Sequence, residues 1–106
     1  MKMIKPITPP EITNEQEFLV IAKFFVAKLP AYLSDISSLR QTNNWPELKD
    51  LFHTLKGSAG GVGYPTVSKL AKDLESYTST QDIESLDKGI AELKDMSEQI
   101  IAGISN

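Results

Sequence analysis

"TNNWPELKDLFHTLKGSAGGVGYP", Thr42 to Pro65, carries the start and the stop of a helix within itself. Asn44 suits a helix cap, and Pro46 suits the first turn, where a missing N–H leaves no bond unmade. Apolar residues follow at Leu48, Leu51, Phe52, Leu55, Ala59 and Val62, three and four apart. At about 100° per residue they fall within about 60° of Leu48, which makes one buried stripe. Gly63 then stops the helix, and Tyr64-Pro65-Thr66 opens another. The stretch also holds the chain's one histidine and, from Gly57 to Gly63, four of its six glycines.

The same spacing extends in both directions. Upstream, Phe18, Ile21, Phe25, Leu29, Tyr32, Ile36 and Leu39 form a stripe that keeps its phase through Pro30. It predicts one long helix kinked at Pro30, or two nearly collinear ones, ending near Gln41. "TNEQ", Thr13 to Gln16, has the form of a capping box and announces that helix. Residues 1–12 contain Pro6, Pro9 and Pro10 and read as an extended arm, which leaves 13–106 as a bundle domain. Downstream, Val67, Leu70, Ala71 and Leu74 share a face, and "TSTQD" is a loop. A last helix is predicted from about Asp82 to Gly103, on Ile83, Leu86, Ile90, Leu93, Ile100 and Ile104, with Ser97 interrupting the seam. No segment alternates apolar and polar residues for long. The fold class is all-α: an up-down four-helix bundle with a kinked or split N-terminal helix.

Composition narrows the chemistry. The 106 residues make one domain, and 41% hydrophobic with 24% charged residues suffices for a core. With no cysteine and one histidine, disulfides, thiol catalysis and an imidazole-rich metal site are excluded. A net charge of −3 argues against a nucleic-acid binder, which needs a basic face. "MKMIKPITPPEI" lacks the apolar core of a signal peptide, and no run approaches the roughly 18 apolar residues of a membrane span. A cytoplasmic domain without membrane contact is expected.

On the wheel of the central helix His53 falls about 140° from Leu48, on the water side. Gly57, about 180° away, and Gly60, about 120° away, flank it, and Lys49 and Lys56 lie beside it at about 100° and 80°. A glycine inside a helix costs about 1 kcal/mol relative to alanine, so two of them beside an exposed imidazole ask for a reason. They remove bulk, which lets a large partner come down around His53. The lysines favour an anion there. A phosphate-binding P-loop is excluded, because "GSAGGVG" has no strand before it and no Lys-Ser/Thr after it. A lone histidine with glycines near a helix end can also be a plain surface residue beside a stop signal. The coincidence of all these features on one face weighs against that.

"HTLKGSAGGVG" resembles the signature of histidine-containing phosphotransfer (HPt) domains, a His-x-Leu-Lys-Gly-Ser run with a glycine further on. His53, Leu55, Lys56, Gly57, Ser58 and Gly63 carry the likeness. "LAKDLE", Leu70 to Glu75, and "FVAKLPAYLSDISSL", Phe25 to Leu39, are similar to the neighbouring stretches of such domains, so the resemblance covers about residues 14–80. It implies a phosphorelay carrier. His53 would accept a phosphoryl group from the aspartyl phosphate of one response-regulator receiver domain and pass it to the aspartate of another, downstream of a hybrid sensor histidine kinase. It implies no ATP site, no autonomous catalysis and no cofactor of the chain's own, with the metal ion brought by the receiver. Lys56 would pair with the phosphoryl oxygens, Gly57 and Gly60 would give clearance, and Glu75 would orient the imidazole. Ser58, Lys49 and Lys72 would support the site. Leu19, Val20 and Phe24, with Ile12, are apolar residues left for a docking patch or for cover by the bundle. The alternative function is a helical adaptor that binds receivers without carrying phosphate. A hydrolase lacks a second catalytic group nearby.

Overall fold

The computed structural model describes residues 15–105, and side chains for 17–103. The predicted arm at 1–12 and the capping residues Thr13 and Asn14 lie outside the described residues. Four helices follow in order: α1 Glu15–Gln41, α2 Trp45–Gly61, α3 Pro65–Thr80 and α4 Ile83–Ser105. Each packs on the next, and α4 returns to α1, which closes an up-down four-helix bundle. The most extensive interface is between α2 and α3.

Three tight connections order the bundle. Asn43, Gly63 and Gln81 all have positive φ. Each follows a helix end and lets the chain turn back on itself. Asn44, Tyr64 and Asp82 donate backbone N–H groups to the carbonyls of Leu39, Ala59 and Tyr77, five residues earlier, at 2.9 Å in each case. These bonds satisfy carbonyls that a helix end would otherwise leave free. Starts are equally specified. Asn44 accepts from the Glu47 N–H at 3.4 Å and donates to the Glu47 carboxylate at 3.0 Å, and Asp82 accepts from the N–H and hydroxyl of Ser85.

The core is apolar and made by all four helices, with Leu29, Ile36, Leu48, Phe52, Leu55, Leu74, Leu86 and Leu93 almost wholly buried. Of the two forms expected for the first helix the single one is found: α1 runs unbroken for 27 residues with Pro30 inside, and Pro30 lies on the exposed side. One expectation changes: Phe18 and Ile21 were expected on the buried stripe but are about half exposed, as are Leu19 and Val20. At about 1.5 Å per residue α1 is roughly 40 Å long and the 17-residue α2 roughly 25 Å, so the start of α1 runs past its neighbour. Burial on α1 begins at Ala22.

Ser97 lies in the α4 seam as predicted, fully buried and with no hydrogen-bond partner among the described residues. Trp45 is half-buried at one end of the bundle, with the Arg40 guanidinium 5.5 Å from its ring centre. Arg40 also reaches Asp87 at 2.8 Å and so ties the end of α1 to α4.

Gly89 has a role that periodicity gave no hint of. A Cβ built there would stand 2.5 Å from Cδ2 of Leu74 on α3. The absent side chain sets how closely α4 approaches α3. Gly89→Ala should therefore destabilise by about 1–3 kcal/mol, the usual cost of overpacking, despite alanine's better helix propensity. Denaturant unfolding checks this; a variant as stable as the parent would show that Leu74 moves aside freely.

Candidate functional site

His53, Lys49, Lys56 and Gly60 form one row along α2, on the side toward α3. The opposing row on α3 is Ser68, Lys72 and Glu75. Where the rows meet nearest the α2–α3 turn, the Ser68 hydroxyl donates to the Lys56 carbonyl at 2.8 Å, and a Cβ on Gly60 would stand 3.3 Å from the same hydroxyl. Gly60, expected to provide clearance for a partner, thus has a use inside the fold: it admits Ser68 between the helices. Two turns further along both helices, that register sets Glu75 opposite His53.

There the carboxylate bridges two groups. Glu75 Oε2 is 3.2 Å from His53 Nδ1, and Oε1 is 3.3 Å from Lys56 Nζ. The Glu75 side chain is 20% exposed, Lys56 32% and His53 65%, so the carboxylate is set back and the imidazole projects. Burial raises the Glu75 pKa, but the hydrogen bond and charge of Lys56, together with His53, outweigh it and hold the carboxyl below its ordinary 4.5. Glu75 is therefore ionised at neutral pH and can only accept. The His53–Glu75 contact as a hydrogen bond requires a proton on Nδ1, which in the neutral ring leaves the Nε2 lone pair free.

A consequence concerns pH. A carboxyl whose folded pKa is depressed contributes stability that is complete above its unfolded value and lost as pH falls through the folded one. Wild type should lose stability relative to Glu75→Gln as the pH drops below about 4.5. Thermal midpoints of both proteins between pH 7 and pH 3 measure this. A constant difference across that range would mean that the Lys56 and His53 contacts do not stabilise the carboxylate.

Gly57 sits beside His53 on the open side of α2. A Cβ there would meet no atom within 4 Å. Lys49 and Lys72 are exposed, without an ion pair among the described residues. Ser58 departs from its expected place. It is half-buried and faces α1, lining a groove with Ile21, Phe24, Phe25 and Tyr32, so it does not join the His53 row. Leu19, Val20 and Phe24 are exposed, Phe24 at 67%, so the bundle does not cover them; Ile12 lies outside the described residues. Sequence reasoning missed Ser68. Its signal was present: it stands two turns before Glu75, as Gly60 stands two turns after His53.

Among the described residues no group of three or more His, Cys, Asp or Glu could hold a metal ion, and no helix is long and apolar enough to cross a membrane. The arrangement is a helical module that presents one imidazole on an open face, braced by a carboxylate from behind. Its family follows from the sequence match: the model of the Hpt domain covers residues 20–103, and the chain belongs to that family. Hpt domains are the histidine carriers of two-component phosphorelays. No curated protein and no solved structure is significantly similar to the chain.

Proposed function

We propose that the chain carries a phosphoryl group on Nε2 of His53 between two receiver domains, taking it from one aspartyl phosphate and giving it to the aspartate of another. The observation that carries this reading is the Glu75–His53 Nδ1 contact behind an imidazole that is itself 65% exposed. In the forward step the Nε2 lone pair attacks phosphorus. The N–P bond forms as the P–O bond to the receiver's aspartate breaks, and the carboxylate leaves. The Nδ1 proton stays in place, and the imidazolium so formed is held against ionised Glu75. The return step reverses each change. Charge and alignment, more than covalent help, govern such transfers.

Lys56 is the cation for the phosphoryl oxygens. In the resting state it is held by Glu75, so its ammonium is already positioned beside the imidazole. Lys49 and Lys72 add positive potential toward the acidic, metal-holding mouth of a receiver. Gly57 gives that mouth clearance, and the exposed apolar start of α1 gives it a surface to rest on. The domain works as a stoichiometric carrier in the cytoplasm, supplied by a hybrid sensor histidine kinase, without a cofactor or an ATP site of its own.

The test is transfer from a phosphorylated receiver domain. Label on the chain that is acid-labile and base-stable supports the carrier. A receiver that binds the chain and transfers nothing at any concentration would sink it in favour of an adaptor.

A further inference from the structure

Beside the basic row a groove of about 500 Å³ runs between α1 and α2. Half-buried Tyr32, Leu39 and Leu51 give it an apolar lining, and exposed Asp35, Glu47 and Asp50 give it carboxylates. Among the described residues no lysine or arginine lines it. Three carboxylates elsewhere in the bundle have cations: Asp87 has Arg40, Glu75 has Lys56, and Asp73 has Lys69. Glu84, Glu92 and Glu98 on α4 have none among the described residues, but the groove is where unpaired carboxylates gather beside an apolar lining. Glu47 is engaged with Asn44, whereas Asp35 and Asp50 have no hydrogen bond or ion pair among the described residues. The groove also borders the site along α2. Asp50 precedes His53 by three residues on α2, and Thr54, which follows it, lines the groove.

The surface around His53 therefore has two signs, basic toward α3 and acidic toward this groove, with Lys28 lining the adjoining hollow beyond Tyr32. We infer that the α1–α2 groove receives a segment of the receiver domain that carries a lysine or arginine next to an apolar side chain. This inference rests on the carrier reading above. The apolar part of that segment meets Tyr32, Leu39 and Leu51, and its cation meets Asp35 and Asp50. The acidic mouth of the receiver meets the lysines on the other side of His53. Two contacts of opposite sign fix the rotation of the receiver about the line joining imidazole to aspartate. A receiver with an acidic segment at that place is repelled. Complementarity of this kind selects partners and speeds encounter, and salt weakens it.

The probes are receiver domains that phosphorylate His53 in the assay above, sorted by whether the surface beside their phosphoacceptor aspartate carries Lys or Arg. The variant is the double reversal Asp35→Lys with Asp50→Lys, both exposed, with helicity checked by circular dichroism. Transfer kinetics and calorimetric affinity for the unphosphorylated receiver are read at low and high salt. Against receivers with the basic segment, the variant should lose about tenfold or more in kcat/KM, through KM, with a flattened salt dependence and unchanged kcat. Reversing the receiver's lysine or arginine to glutamate should restore it. Wild-type transfer with an unaffected double variant would overturn the groove and leave the carrier reading intact. So would a loss confined to kcat, or self-association of wild type abolished in the variant while receiver binding stays the same. Absence of phosphate on wild-type His53 would instead overturn the carrier reading.

Discussion

His53→Gln should reduce phosphate uptake from any receiver to background while leaving the bundle folded. The chain has no second histidine to take over. A glutamine amide nitrogen has no lone pair available for attack on phosphorus, so the loss is complete rather than graded. Stability should change little, because the imidazole is 65% exposed and leaves no cavity. Such surface changes usually stay within about 0.5 kcal/mol. Glutamine can also still donate to Glu75 through its amide, so the carboxylate keeps a partner. Label on the variant would refute the assignment of the acceptor, whereas an unfolded variant would refute the account of an exposed, non-structural imidazole.

Gly57→Glu separates stability from function in the opposite sense. A side chain at Gly57 points into open space, so nothing in the fold resists it. Replacing a helical glycine removes up to about 1 kcal/mol of propensity cost, and the variant should be at least as stable as the parent. Transfer should nevertheless fall by about a hundredfold or more. The carboxylate adds bulk where the receiver approaches and repels the phosphoryl group, and small displacements of reacting atoms already cost on that scale. Gly57→Ala is the graded control: it should gain the stability and lose less of the rate. Normal transfer by Gly57→Glu would show that the receiver approaches from another side.

The helices and the imidazole were legible in the sequence because their signals are local. Asn44 with Pro46, Gly63 before Tyr64-Pro65, and the three-and-four spacing each act within one or two turns. Glu75 was legible through the family resemblance. What escaped depends on how helices meet. A periodic stripe says which face is apolar, not whether a neighbour is long enough to cover it, so Phe18 and Ile21 were assigned to a core that covers them only in part. Gly60 read as an open position because its α3 neighbour Ser68 is invisible from α2 alone. Gly89 carried no pattern, since its constraint is a Leu74 side chain on another helix. Ser58 shares the motif with His53 yet lies five residues on, and five residues turn a helix to a different side.

The Ser68–Lys56 lock, the Gly60 contact and the Glu75 bridge all belong to one helical hairpin, α2 with α3, closed by the turn at Gly63. The chemical centre is therefore topologically local. Its parts lie within 22 residues of one another in sequence, so it depends little on long loops closing. Fraying of α1 or local opening of α4 can proceed without separating His53 from Glu75. In native-state hydrogen exchange the amides of α2 and α3 should form the most protected unit, and the overhanging first turns of α1 the least. The surface that a partner must search is thus able to yield, while the atoms that exchange phosphate keep their places.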